Sequence, residues 1–322
     1  MSMKIGMIGV GGIGQHHLQG LLADERVKVT AVCDVNREAA MSTAERIGAS
    51  GYTSWQELLT HEKLDALFVC VPPFAHEEIE EQAAAKGIHL FVEKPIGLDM
   101  HIVAKKQAAM EKAGIITSTG YCLRYLDIVQ QAREYLADKQ IALVRGHYLT
   151  KFVETPWWRQ MSKSGGQLVE QATHTLDMMR FLAGDVEKVY AQMSLLVSQD
   201  IEGIDIPDVS AVSMAFSTGA LGHLDTCFIQ ADHRTGVEIL GKHFRVLIDG
   251  RQLTITDEAG TRTFEATVDM YREQDRAFVT AIETGDTSLI LSPYASAKKT
   301  LAVTLAANES AQSGAPVIIS HD

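Results

Sequence analysis

Gly9, Gly11 and Gly14 form a Gly-x-Gly-x-x-Gly run, GVGGIG, at the end of the apolar segment KIGMIGV from Lys4 to Val10. In that position the first glycine permits a sharp turn and the second lets backbone amides approach a pyrophosphate with no Cβ in the way. The third allows the following helix to lie close to the strand. Gly12 and Ile13 complete the turn, and the amide-rich start of the helix faces the phosphates. The next strand-like run, VKVTAVC from Val27 to Cys33, ends in Asp34, twenty residues after Gly14. A carboxylate there accepts hydrogen bonds from both adenosine ribose hydroxyls and repels a 2′-phosphate, so the pattern predicts a dinucleotide site that prefers NAD to NADP. Arg37 lies near enough in sequence to offer a 2′-phosphate a partner, which leaves a mixed preference open. Bare glycine patterns also occur in plain tight turns; the strand, the helix and Asp34 make this one a nucleotide signal.

The elements that must hold these residues alternate through the first third of the chain. Helical patterns over 37–47 and 54–61 flank a Gly-Ala-Ser-Gly turn, and the apolar run over 66–71 reads as a buried parallel strand stopped by Pro72-Pro73. A helix over 75–86 capped by Gly87, a strand over 88–92, a helix over 100–113 and a strand over 115–120 follow. This predicts an α/β fold whose N-terminal part is a Rossmann-type doubly wound parallel sheet, with ligand sites at the carboxyl ends of its strands. Gly9, Asp34, Pro72 and Glu93-Lys94 occupy those ends. Beyond residue 121 the rhythm changes. A helix over 128–137, a strand near 142–148 and a helix over 167–183 precede strand-like runs at 211–216, 220–227, 237–240, 245–249 and 252–256. These predict a C-terminal α+β domain on a large, open, mainly antiparallel sheet. The expected division is a dinucleotide-binding domain over 1–121 and a substrate-binding and oligomerisation domain over 122–322.

The bulk properties suit a soluble enzyme. A chain of 322 residues with 46% hydrophobic content suits two cores rather than one. A formal net charge of −12 disfavours nucleic acid and anionic membrane surfaces as partners. The four cysteines, Cys33, Cys70, Cys122 and Cys227, show no metal-ligand spacing and read as reduced, mostly buried thiols. No metal site is expected, no segment has the run of ~18 apolar residues that spans a bilayer, and no targeting signal is visible, which points to the cytoplasm.

Several segments in order and spacing give the chain a resemblance to a known family. GVGGIG, Asp34, CVPPFAH from Cys70 to His76, FVEKPIG from Phe91 to Gly97, GYCLR from Gly120 to Arg124 and GGQLVEQATHTLD from Gly165 to Asp177 resemble the glucose-fructose oxidoreductase, inositol dehydrogenase and rhizopine-catabolism (Gfo/Idh/MocA) oxidoreductases. The resemblance extends to the tail segments YREQDRAFVTAIETGD and AANESAQSGAPVII. It implies hydride exchange between a nicotinamide and a hydroxyl-bearing carbon of a sugar, cyclitol or related polyol. It also implies a homodimer or homotetramer formed through the exposed sheet face.

Oxidising a secondary alcohol needs a hydride acceptor, a base for the hydroxyl proton and positive charge near the oxygen. The resemblance marks Lys94, in the Glu93-Lys94-Pro95 tripeptide, as the source of that charge. The alternative is an exposed lysine paired with Glu93, a weak interaction. At 100° per residue Glu170, His174 and Asp177 share one helical stripe, opposite Leu168, Ala172, Leu176 and Met179. Helical geometry alone also describes a solvated face with an i,i+4 pair; the resemblance turns the stripe toward the nicotinamide, with His174 as base. Many relatives carry Asp where Glu170 stands, so Glu170 either orients His174 or binds a substrate hydroxyl. Pro72, Pro73 and His76 match the family's cofactor loop. Arg124, Trp158, Arg159 and Tyr271 are candidates for substrate contact; the alternatives are a tie between the domains for Arg124, a packed surface aromatic for the Trp158-Arg159 pair and an oligomer contact for Tyr271. Two other functions remain possible on this fold: a non-catalytic dinucleotide-binding regulator, and an NAD-assisted glycoside-cleaving enzyme.

Overall fold

Apolar runs without alternation form the first sheet, because both faces of a parallel sheet are covered. In the computed structural model, which describes residues 2–320, the chain begins with β1 (Met3–Ile8), α1 (Gly12–Leu22), β2 (Val27–Cys33), α2 (Arg37–Ile47), β3 (Ser50–Tyr52) and α3 (Trp55–His61). It continues through β4 (Ala66–Val69), α4 (Ile79–Ala85), β5 (His89–Val92), α5 (Met100–Ala113) and β6 (Thr117–Thr119). The six strands pair in parallel in the order β3-β2-β1-β4-β5-β6, with the order reversing between β1 and β4. That is the doubly wound arrangement the alternation predicts. Local signals set the helix ends: the Asn36 side chain accepts from the Ala39 N–H, the Asp99 side chain from the His101 and Ile102 N–H groups, and Gly48 and Gly114 close α2 and α5 in the left-handed conformation. Two details differ from the sequence reading. The helix read over 75–86 begins only at Ile79, because Pro73–Ala75 form a separate 3-10 turn and Glu77 takes a φ of 42°. The stretch read as a Gly-Ala-Ser-Gly turn runs into the short strand β3.

From residue 127 the elements are α6 (Asp127–Leu136), β7 (Ile141–Leu149), α7 (Met161–Ser164), α8 (Gln167–Glu170), α9 (Thr173–Ala183), β8 (Val186–Ser194), β9 (Val209–Phe216) and β10 (Leu221–Cys227). Then come β11 (Arg234–Gly241), β12 (Phe244–Asp249), β13 (Gln252–Asp257), β14 (Gly260–Glu265), α10 (Met270–Thr284), α11 (Tyr294–Ser313) and β15 (Val317–Ile318). A nine-stranded sheet runs β14-β13-β12-β11-β7-β10-β9-β8-β15, antiparallel except at the β7–β10 pair. Burial alternates along β9 and β10, as a sheet covered on one face requires. On the open face Leu143 and Leu221 stand opposite each other in register, 37% and 60% exposed.

Contacts divide the chain into a first unit, up to Cys122 together with Asp269–Ala297, and a second, Leu123–Val268 together with the segment from Lys298 onward. Where the sequence reading runs one domain over 122–322, these contacts return α10 to the first unit. Two interactions account for it. Phe278, fully buried, meets Phe68 and Phe91 edge-on at 5.7 and 5.9 Å, and Val279 and Ala281 join the same core with Ile5 and Met7. Asp275, on the same helix and buried, receives Nδ1 of the buried His17 ring of α1 with both carboxylate oxygens at 2.9 Å. Burial by itself pulls the imidazole pKa down, but the attraction of Asp275 and hydrogen bonds to Asp275 and Glu93 outweigh it and raise the value to about 10.

Two expectations follow for the stability of the first unit. Phe278→Ala should cost about 3–5 kcal/mol, the range for emptying a buried aromatic site, seen as a lower denaturant midpoint; a loss under ~1 kcal/mol would show that α10 is peripheral to this core. His17 has a folded-state value above the 6.5 of a free imidazole, so its stabilisation is fully present below about pH 6.5 and is lost as pH rises through about 10. Within that window it should contribute a decline of up to ~1.4 kcal/mol per pH unit in unfolding free energy. His17→Gln should flatten the decline, and equal slopes in wild type and variant would contradict the assignment.

Candidate cofactor and active site

The turn after β1 is built on two approaches that only glycine allows. At Gly9, with φ +89°, a Cβ would lie 2.3 Å from the Cys70 carbonyl oxygen, and at Gly14 it would lie 2.1 Å from the Gly9 carbonyl oxygen. Gly11 and Gly12 are the opposite case: a Cβ on either would meet nothing within 4 Å. Gly11 is the N-cap of α1 and supplies no side-chain cap, so the first-turn amides border open space. Ile13 points the other way and packs against the core. Asp34 is held by two backbone donors, the Val10 N–H at 3.0 Å and the Asn36 N–H at 2.9 Å, one to each oxygen. Each oxygen keeps acceptor capacity for a ribose hydroxyl. Arg37 opens α2 and is exposed. An uncapped helix start beside glycines with room above them, and a fixed carboxylate at the next strand end, fit an adenine dinucleotide.

Further along the same edge, Pro72 and Pro73 lead into the 3-10 turn. Just beyond it the buried His76 ring places Nδ1 2.5 Å from Glu80 Oε1, while Lys106 donates to Glu80 Oε2 at 2.5 Å. This buried chain anchors the loop to α4 and α5. At the end of β5, Glu93 is only 3% exposed, which removes the reading of an exposed Glu93–Lys94 pair. Its Oε1 lies 3.0 Å from His17 Nε2, and its Oε2 accepts the Lys94 N–H at 3.0 Å. Lys94 itself is half-buried. Tyr271, on α10, is half-buried with its ring edge-on to His16 at 4.4 Å. No sequence pattern singles out His17 and Asp275, although His17 lies three residues after Gly14 and so on the face of α1 that packs inward.

In the second unit the helix expected over 167–183 is broken into α8 and α9. Gln171 takes φ −109°, and the Ala172 N–H bonds to the Gln167 carbonyl at 2.9 Å, one residue farther back than in an α-helix. The regular 100° spacing is therefore interrupted between Glu170 and His174, while His174 and Asp177 stay three residues apart on α9. Glu170 is half-buried, and its Oε2 accepts the Trp158 indole N–H at 2.8 Å. Trp158 is buried against Phe228 and Ile206, so its indole N–H supports Glu170 from within the core. Arg159 donates to the Glu202 and Glu154 carbonyls at 3.0 and 3.3 Å. His174 lies half-buried in the first turn of α9. Asp177 is 1% exposed and accepts two hydrogen bonds from Arg124, at 2.7 and 2.6 Å, and one from the Thr300 hydroxyl at 2.6 Å. Arg124 and Asp177 therefore form a buried clamp, and Asp177 does not lie on a solvated face.

The four cysteines are free and buried, and no helix among the described residues is long and apolar enough to cross a membrane. Among the described residues no three His, Cys, Asp or Glu side chains are grouped to hold a metal ion.

Comparisons with known proteins bear on the whole arrangement. A family profile described as oxidoreductase family, NAD-binding Rossmann fold, matches residues 3–121, and the GFO/IDH/MocA C-terminal domain matches residues 129–247. Myo-inositol 2-dehydrogenase of Thermotoga maritima is 28% identical over 302 residues, covering 88% of this chain and 89% of that protein. Glucose-6-phosphate 3-dehydrogenase of Bacillus subtilis is 24% identical over 257 residues, with coverage of 74% and 72%. The structure of GenD2 from gentamicin A biosynthesis in complex with NAD is similar at a TM-score of 0.85 and 25% identity, over 99% of this chain and 97% of that one. Levoglucosan dehydrogenase in complex with NADH and L-sorbose shares the fold, at a TM-score of 0.90 and 21% identity over 99% and 100% of the two chains. With both profiles matched in order along the chain and a glycine turn built to take a dinucleotide, the protein belongs to the Gfo/Idh/MocA family and is an NAD-binding oxidoreductase.

Proposed function

We propose that this oxidoreductase removes a hydride from a secondary carbinol carbon of a sugar, cyclitol or related polyol, with Lys94 and His174 at the reaction centre. The observation that carries the reading is the place of Lys94. It follows β5 at the carboxyl edge of the parallel sheet, the edge that also carries the glycine turn after β1 and Asp34 after β2. In open α/β sheets that edge is where ligands bind. The relatives named for myo-inositol and glucose 6-phosphate act on molecules rich in secondary hydroxyls, which supports the substrate class.

When bound, NAD supplies the hydride-accepting ring. The glycine turn and the start of α1 hold the pyrophosphate, Asp34 holds the adenosine ribose, and Pro72, Pro73 and His76 shape the loop beside them. Lys94 places an ammonium near the substrate oxygen, where negative charge develops as the hydride leaves. His174 accepts the hydroxyl proton. Glu170, held by the Trp158 indole, orients His174 or binds a neighbouring hydroxyl. Tyr271 and Arg159 are further candidates for substrate contact, whereas Arg124 and Asp177 act by holding α9 in place. Self-association through the open sheet face around Leu143 and Leu221 is part of the same proposal.

Screening inositols, hexoses and amino sugars with NAD tests the class directly, read as NADH formed. A regulator binds NAD without turnover, and an enzyme that oxidises only transiently consumes substrate without net NADH. On the substrate so found, Lys94→Ala should lower kcat by at least ~10²-fold with NAD affinity nearly intact; activity within a few-fold of wild type would sink the assignment. Since an imidazole must be neutral to accept a proton, kcat/KM should fall on acidification, and His174→Ala should lose that acid limb together with most of the rate. An unchanged profile would remove His174 as the base. Because Asp34 repels a 2′-phosphate, NAD should be used with clearly higher kcat/KM than NADP, and comparable values for the two would refute the preference.

A further inference from the structure

The Lys94 N–H lies just past the end of β5, where the ladder has run out: the last backbone bonds there are the Glu93 N–H to Val69 and the Gly120 N–H to Val92. Its acceptor is the Glu93 side chain, at 3.0 Å. The direction of that carboxylate is therefore the direction of the turn that carries Lys94. Two things set it. On one side the carboxylate lies flat against Gly120, where a Cβ would come within 2.4 Å of both oxygens. On the other, Oε1 is held at 3.0 Å by His17 Nε2, and the ring is held in turn by Asp275 through Nδ1. All three side chains are buried.

We infer that His17 is a positioning residue for Lys94, carrying the placement of the dinucleotide-binding helix α1 through Glu93 to the turn at the end of β5. The inference rests on the proposed role of Lys94. A buried ionic cluster is a poor way to hold a helix against a sheet, since well-packed apolar side chains of similar volume often do so as well or better. An apolar ring at position 17 would pack α1, but it would leave Glu93 Oε1 without its partner, and only the Lys94 N–H itself would then hold the carboxylate. The ring thus sets an orientation as well as filling space: the helix that takes the cofactor phosphates and the residue proposed to meet the substrate oxygen share one rigid connection.

The test is amide hydrogen exchange on the full-length protein, free and with NADH, combined with steady-state kinetics. His17→Gln should speed exchange of the Lys94 amide by roughly tenfold or more while the amides of β1 and β4 keep their wild-type rates, since the opening is local. It should also lower kcat on the substrate found by screening while the dissociation constant for NADH, read by its fluorescence, changes by less than about threefold. Asp275→Asn is the second variant should His17→Gln not fold. It loosens the ring from its far side and should raise the Lys94 exchange rate in the same direction by a smaller factor. The inference is overturned if the Lys94 amide keeps its wild-type rate in these variants, or accelerates only in step with β1 and β4, which would mean a general loss of stability. Full activity of Lys94→Ala would remove the catalytic reading of Lys94 instead, and the exchange result would still report whether His17 fixes the turn.

Discussion

Two backbone contacts closer than any Cβ permits set the geometry of the first unit: Gly9 against the Cys70 carbonyl and Gly14 against the Gly9 carbonyl. They seat the start of α1 against the ends of β1 and β4 with no side chain between. From that seat the helix leaves its first-turn amides beside open space and brings the His17 ring, one turn later, into the core. There it meets Glu93 at the end of β5 and Asp275 on α10. A cofactor cradle, a buried ion cluster and the turn carrying Lys94 thus share one origin. Substituting either glycine should displace all three together.

Much of this was legible because it is local. Chain reversal at GVGGIG, the carboxylate after β2, the proline stop after β4 and the glycine caps of α2 and α5 each depend on a few adjacent residues, and the folded chain has them where their chemistry requires. What escaped depends on partners far apart in sequence. His17 and Asp275 are 258 positions apart, and neither is marked as a pair by its neighbours. The return of α10 to the first unit has the same cause: its apolar face fits an amphipathic helix in either unit, and only packing against Phe68 and Phe91 decides between them.

The second unit shows where a sound local rule breaks. An angular spacing of 100° per residue holds only along an unbroken helix, and the helix is interrupted at Gln171–Ala172, between Glu170 and His174. Asp177 lies inside, bound to Arg124 and Thr300, and Thr300 also accepts from Arg180, whose other end-group nitrogen bonds Asp185. Lys299 completes the chain with a bond to Asp185 at 2.6 Å. Breaking such a buried pair by removing one partner costs about 3–5 kcal/mol, because the remaining charge is left without compensation. The clamp therefore fixes the helix whose first turn carries His174.

In the proposed reaction a hydride leaves a carbinol carbon of the substrate and ends on the nicotinamide. Its most direct measurement is the fate of deuterium from carbon-deuterated inositols and hexoses incubated with the protein and NAD, followed by mass spectrometry of the nicotinamide pool. The expected product is NADH carrying one deuterium from the oxidised carbon, formed in step with ketone. Deuterium that remains in the sugar throughout, or that passes to solvent while the nicotinamide pool stays unlabelled and oxidised, would contradict it.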